Sequence, residues 1–197
     1  RLGHAAIQLC DAPALGLLMG RLSRLGQIGL VGVTVAQAPT VREAARALTR
    51  FEPLYATNYR GQSSLHEDAK GAWLRFYSIS PYNAYNRFVI DSVLAGWQQQ
   101  FAQVAQHAVA VESVQIEYAA PPYAAAHAAH FACPVEFGCE HNQLRLDQAS
   151  LALRNPEHCP STWRHLLDIC ERELEQATRT RSLRERVTQL LGPLLHG

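Results

Sequence analysis

The sequence predicts an α+β fold, in which an antiparallel sheet of short strands packs with several helices and a C-terminal helix pair closes the chain. Three observations carry this prediction. Residues 55–79 alternate in polarity around a polar turn, which is typical of a β-hairpin. Residues 81–104 carry one broad apolar face with helical spacing. Residues 161–177 and 182–195 show regular helical patterns near the end of the chain.

Length and composition indicate one domain, residues 1–197, with a full hydrophobic core. The chain has 197 residues, of which 48% are hydrophobic. Its formal net charge of +1 excludes a bulk electrostatic attraction to nucleic acid or membranes. The five cysteines have no regular spacing, which predicts reduced thiols in a cytoplasmic protein. No apolar stretch is long enough to span a membrane. Because the chain begins without methionine, we interpret it as a fragment of a longer protein.

The first third of the chain predicts three elements before the hairpin. Residues 14–22 indicate a short helix that two glycines weaken. Residues 28–35 are rich in glycine and valine, and their pattern alone leaves open whether they form a strand or a buried helix. Thr40 and Glu43 have the spacing of a capping box and open an amphipathic helix, which we expect Pro53 to end.

The hairpin has predicted arms at 54–65 and 72–79, and its second arm has two distinct faces. Leu74 and Phe76 point to one side, and Trp73, Arg75 and Tyr77 point to the other. Neither side is plainly polar, which predicts that both faces of this arm are covered.

The long helix has an aromatic face that can either pack in the hydrophobic core or line a pocket. Pro81 suits its first turn, where the missing N–H is harmless. Its apolar positions are Tyr82, Tyr85, Phe88, Val89, Val93, Trp97, Phe101 and Val104. Beyond it, the patterns predict a strand at 111–118, a short helix at 123–131 and two strands within 135–146.

Residues 123–156, YAAAHAAHFACPVEFGCEHNQLRLDQASLALRNP, carry a resemblance to a known family. Their shared features are a short helix, a leucine-rich exit to a proline, and Phe131, Cys133, Pro134, Val135, Phe137, Gly138, Asn142 and Leu144 between them. This pattern resembles the closing segment of the regulatory domain in AraC-type transcriptional regulators of the arabinose-binding type. Residues 29–32 followed by 38–44 are similar to the family's glycine-rich element and its small-Pro-Thr-x-x-Glu-Ala helix. The end of the last helix, 190–194, lies where the family's linker begins.

The resemblance covers nearly the whole chain and implies an effector-binding and dimerisation domain. It implies a small-molecule effector that biases an attached DNA-binding domain. The family's two helix-turn-helix units do not occur in this sequence, so DNA contact is expected only through that missing part. The implied partner is a second copy of the chain. We expect residues 161–192 to contribute to the dimer interface, with Leu183, Leu190 and Leu191 buried there. The alternative is that both C-terminal helices cap the sheet of their own subunit.

The aromatic residues of the hairpin and the long helix form the candidate ligand site. We expect them to enclose a small, mainly apolar effector. The predicted site residues are Tyr59, Trp73, Arg75, Tyr77, Tyr82, Tyr85, Trp97 and Phe101. Arg75 and Arg87 are the candidates for holding an anionic group. The alternative is that most of the aromatic residues are simply core.

Other chemistries remain as alternatives, although neither an enzyme nor a cofactor is predicted. Possible metal ligands cluster within a short stretch, but their spacing matches no compact zinc motif: His127, His130, Cys133, Cys139 and His141. Two Cys-Pro pairs, at Cys133 and Cys159, keep a haem or gas sensor open as the first alternative. A small hydrolase is the second, although no cysteine has a catalytic motif around it.

Overall fold

The computed structural model describes Leu9 and residues 12–56, 61–78 and 83–180, and it confirms the α+β fold. The strands are β1 (Gly61–Glu67), β2 (Gly71–Ser78), β3 (Ser113–Ile116), β4 (Val135–Phe137) and β5 (Asn142–Asp147). The helices are α1 (Leu15–Arg21), α2 (Gly29–Ala36), α3 (Val41–Arg50), α4 (Glu52–Tyr55), α5 (Ala84–Ala105), α6 (Ala124–Phe131), α7 (Gln148–Leu151) and α8 (Pro160–Thr180), with a 3₁₀ turn at Leu25–Ile28. Within this part of the chain, no helix is long and apolar enough to cross a membrane.

The strands form one sheet in the order β1-β2-β5-β3-β4, and the predicted antiparallel pairing is confirmed for all neighbours except β3 and β4. Those two strands are parallel, and the chain between them includes the helix α6. Parallel neighbours need such a crossover connection, because a tight hairpin turn joins only antiparallel strands. One apolar row crosses the sheet, since Leu65 pairs with Leu74, Leu74 with Leu144, and Leu144 with Val114. This row marks the core face of the sheet.

The long helix α5 packs over the core face, and α1 crosses α5 at close range. At Gly16 a Cβ atom would lie 2.6 Å from Asp91 Cβ, and at Gly20 it would lie 2.5 Å from Ala95 Cβ. Both distances are far inside van der Waals contact, so the two glycines let the helix backbones approach. The residues that weaken α1 as an isolated helix therefore create its main tertiary contact.

The segment that the sequence left open between strand and helix is the helix α2. Its apolar character is explained by packing on more than one side, because α2 contacts α3, α4, α5 and α8. Val31 and Val35 are buried, and Thr34 Oγ1 lies 3.2 Å from the buried Cys170 Sγ of α8. A helix that is apolar nearly all round is a buried helix.

Two predicted helix boundaries are confirmed in part and corrected in part. The Thr40 hydroxyl accepts a hydrogen bond from the Glu43 backbone N–H at 3.3 Å, as the capping box predicts. However, α3 already ends at Arg50, and Pro53 lies in the first turn of α4, where proline is tolerated. The first hairpin arm was expected from residue 54, but Leu54 and Tyr55 belong to α4.

The described residues include the start of α5 and the first helix of the predicted C-terminal pair. The cap of α5 is Asn83, whose side chain accepts hydrogen bonds from two backbone N–H groups; the predicted start at Pro81 lies outside the described residues. The first helix of the C-terminal pair is confirmed as α8, which packs on α2 and α4 and pairs Glu171 with Arg50 of α3 at 2.7 Å. The second, from 182 onward, lies outside the described residues.

Candidate functional site

A cavity of about 560 Å³ lies between α5, α4 and the open end of the β-hairpin. This volume is in the range of pockets that hold small organic molecules. From α5 the wall includes Tyr85, Val89, Val93, Gly96, Trp97 and Gln100. From α4 and the hairpin it includes Glu52, Tyr55, Gly61, Ser63, Phe76 and Ser78. The cavity therefore joins elements that are distant in sequence.

Aromatic side chains form much of the cavity wall. The Phe76 and Trp97 rings meet edge to face, with centroids 6.5 Å apart and an interplanar angle of 81°. Gly61 makes room for this pair, because a Cβ atom there would lie 2.2 Å from the Phe76 ring. Tyr55 and Tyr85 complete a set of four aromatic residues. The wall is thus suited to a ligand with an apolar body.

Among the described residues of the cavity wall, the charged side chain is Glu52, on the first turn of α4. Its side chain is buried, and its carboxylate accepts hydrogen bonds from the Ser63 backbone N–H at 2.6 Å and from the Ser63 hydroxyl. Burial raises the pKa of Glu52, and the hydrogen bonds from Ser63 oppose this rise only in part. The same environment raises the pKa of Tyr55, through burial first and through the charge of Glu52 second.

Amide side chains of α5 attach the loop after α1 to the cavity rim. Gln103 donates to the Ser23 backbone oxygen at 2.9 Å and accepts from the Leu25 backbone N–H at 3.1 Å. Gln100 donates to the Ser23 hydroxyl at 3.3 Å. Because the two partners of each bond are 77 to 80 residues apart in sequence, the rim is held by tertiary contacts.

The structure brings together only some of the predicted site residues. Tyr85 and Trp97 line the cavity. Phe101 is fully buried, but it belongs to the core and not to the cavity wall. Tyr59 and Tyr82 lie outside the described residues.

Trp73, Arg75 and Tyr77 lie on the opposite face of the sheet from the cavity, since they alternate with the core-facing Leu74 and Phe76. Arg75 Nε donates to Gln143 Oε1 of β5 at 2.9 Å. The Trp73 ring lies under the guanidinium of Arg145, 5.1 Å from its centroid. The three residues therefore belong to a polar outer face, and the structure gives them no contact with the cavity.

Arg87, the second candidate for binding an anionic group, does not line the cavity either. Its guanidinium lies over the Tyr118 ring, 5.6 Å from the centroid. Tyr118 belongs to a buried polar cluster, in which Asp91 accepts hydrogen bonds from the hydroxyls of Tyr118 and Tyr123. His127 Nε2 lies 2.9 Å from Asp91 Oδ1. His127 and Asp91 are fully enclosed, which is typical of a structural network.

Sequence reasoning missed Glu52 and Ser63 as cavity residues. Neither falls in a motif, and Glu52 precedes a proline that pointed to the end of a helix. Their proximity depends on the meeting of α4 and β1, which no local pattern encodes. The His and Cys residues between 127 and 141 were considered as metal ligands because they are close in sequence. Within the described residues, no group of three or more His, Cys, Asp or Glu side chains could hold a metal.

The structure is an α+β domain with a cavity of ligand size, and comparison with known proteins gives its family. Residues 1–155 match the family described as the arabinose-binding domain of AraC transcription regulators, N-terminal, and the chain belongs to that family. Among solved structures, the transcriptional regulator CdpR from Pseudomonas aeruginosa is similar, with a TM-score of 0.67 and 15% identity. The match covers 80% of this chain and 50% of that chain, so this chain spans about half the length of that regulator. A search of curated proteins found no match.

Proposed function

We propose that this chain is the effector-binding and dimerisation domain of an AraC-type regulator, and that a small, mainly apolar effector binds in the cavity between α5, α4 and the hairpin. The observation that carries this proposal is an aromatic-walled cavity of ligand size in a chain of this family. The bound effector biases a DNA-binding domain attached in the complete protein. Such a regulator works in the cytoplasm.

The route from cavity to DNA-binding domain runs through α4. Glu52 and Tyr55 of α4 line the cavity, and the same short helix packs against α8. A ligand shifts an equilibrium only if it binds one arrangement more tightly than another. We infer that the effector selects one position of α4, which changes how α8 lies against the body of the domain.

Filling the cavity provides the test of this proposal. In Val93→Phe the larger side chain should occupy cavity space, so small molecules that raise the melting temperature of the wild-type domain should lose most of their effect. The measurement is a thermal-shift screen of a diverse small-molecule collection, followed by calorimetry of the compounds that stabilise the wild type.

The matched control is Val33→Phe, the same change at a helix position that is 51% exposed and lies away from the cavity. Ligands should stabilise this variant as they stabilise the wild type. If the stabilising compounds bind Val93→Phe with unchanged affinity, the cavity is not the effector site.

We also propose that the domain forms a homodimer to which residues of about 161–192 contribute. The inner side of α8 is engaged by α2 and α4 of its own chain, which leaves its other sides for a partner. At micromolar concentration the domain should sediment as a dimer, and Leu183→Glu or Leu190→Glu should shift it to a monomer. A wild-type monomer would refute the dimer, and a dimer that tolerates both charges would place the interface elsewhere.

The alternative classes have less support. Membership in a regulatory-domain family favours a sensor over a small hydrolase. A haem or gas sensor would show a Soret band in the purified protein. The two Cys-Pro pairs that suggested haem lie at Cys133 and Cys159, and neither cysteine lines the cavity.

A further inference from the structure

Glu52 gives the cavity a property that its aromatic wall alone does not have. The side chain is buried, lines the cavity, and has Ser63 as its hydrogen-bond partner through one N–H and one hydroxyl. A carboxylate can accept about four hydrogen bonds. Two of its acceptor positions are therefore left for a group inside the cavity.

The described part of the cavity wall contains no positive charge to balance Glu52. Its other polar side chains are neutral serines, asparagines, tyrosines and a glutamine. The two arginines that the sequence offered as anion partners face elsewhere: Arg75 bonds Gln143 on the outer face, and Arg87 lies over Tyr118. A carboxylate or phosphate ligand would meet a like charge in this cavity and would find no basic group on the described wall to pair with.

The aromatic residues around Glu52 favour the same sign of charge. Tyr55, Tyr85, Phe76 and Trp97 line the same cavity as the carboxylate. The face of an aromatic ring attracts an ammonium group, and rings arranged around a cavity are a recurrent way of binding organic cations. The wall therefore combines an acceptor for an ammonium N–H with rings that tolerate its charge.

We propose that the effector is an organic amine, whose ammonium group pairs with Glu52 and whose apolar body packs against Phe76 and Trp97. This inference rests on the proposed function and specifies its ligand class. It replaces the expectation of an anionic group held by arginine. Burial, which raises the pKa of Glu52, makes the ionised carboxylate costly when no cation pairs with it, and the ammonium of the effector supplies a counter-charge that the described cavity wall lacks.

The variant that tests the proposal is Glu52→Gln, which keeps the size of the side chain and an oxygen that can accept from Ser63. The probes are two matched series: phenethylamine, phenethyl alcohol and hydrocinnamate, and hexylamine, hexanol and hexanoate. Calorimetry on the wild-type domain should show the amine binding most tightly within each series. In Glu52→Gln the affinity for the amines should fall roughly tenfold or more, while the affinity for the alcohols should change little.

The fold of the variant can be checked independently. Because burial raises the folded-state pKa of Glu52, its ionisation lowers the stability of the folded protein as pH rises from the ordinary pKa through the raised one. Glutamine cannot ionise, so Glu52→Gln should melt at neutral pH no lower than the wild type. Glu157→Gln, at an exposed position outside the cavity, removes the same charge and should leave amine binding unchanged.

Three outcomes would overturn the inference: tighter binding of the carboxylates than of the amines, equal amine affinity in the wild type and Glu52→Gln, or no binding of any amine. If alcohols or carboxylates bind and Val93→Phe blocks them, the proposed function stands and only the ligand class is wrong. If no compound that binds the domain is sensitive to Val93→Phe, the cavity itself is the wrong site.

Discussion

Replacing Asp91 with alanine is expected to lower the free energy of unfolding by about 3–5 kcal/mol, because it removes the acceptor at the centre of a buried cluster. Two hydroxyls, of Tyr118 and Tyr123, donate to this carboxylate, and His127 Nε2 lies 2.9 Å from it. Asp91 and His127 are buried within the protein, where water cannot replace the lost partner. Each buried polar group left without a partner costs about 1–3 kcal/mol.

Thermal unfolding of Asp91→Ala should show a melting temperature lower by roughly 10 °C, since 1 kcal/mol corresponds to about 2–4 °C in a chain of this size. Asp91→Asn keeps one acceptor oxygen and should lie between the wild type and the alanine variant. Asp168→Ala, at an exposed position on α8, is the control and should melt like the wild type. A loss at Asp91 as small as at Asp168 would mean that the cluster does not stabilise the fold.

Periodicity predicted the elements whose apolar pattern is complete within one segment of the chain. The amphipathic face of α3 and its Thr40 cap, the alternation of β2 and the apolar stripe of α5 each arise within one segment, so they are visible without the rest of the chain. The helix α2 was left open because it is buried on several sides, and its pattern therefore has no polar face to set a period.

The outer face of the sheet shows why the residues that line the cavity were predicted only in part. Alternation correctly placed Trp73, Arg75 and Tyr77 together on one side of β2, but it carries no information about which side meets α5. Arg75 contacts Gln143, and Trp73 contacts Arg145. Both partners belong to β5, about 70 residues later in the chain. An aromatic residue in a strand can thus pack against polar side chains on the outer face of a sheet, and its presence alone does not indicate a pocket.

The cavity depends on contacts that are distant in the chain. Glu52 meets Ser63 only because α4 and β1 converge, and Ser23 reaches the rim because α1 packs on α5 through Gly16 and Gly20. Glycine and a single acidic residue before a proline have many local explanations. Their place around the cavity is therefore visible only in the tertiary structure.

Phe101→Ala is expected to lower the free energy of unfolding by about 3–5 kcal/mol and to leave the ligand affinity of the folded domain nearly unchanged. Phe101 lies one helical turn beyond Trp97 on α5 and is fully buried, but the cavity wall does not include it. Truncation should therefore open a void in the core without removing a ligand contact. This separates a core residue from a wall residue on the same helix face.

The measurement pairs denaturant unfolding with calorimetry of a stabilising compound, carried out at a temperature where the variant is folded. Leu22→Ala, at a position that is 58% exposed, controls for the loss of apolar side-chain atoms and should change stability little. A folded Phe101→Ala variant that no longer binds the compound would show that the ligand reaches deeper along α5 than the cavity wall. A variant with near wild-type stability would show instead that the core around Phe101 closes over the lost ring.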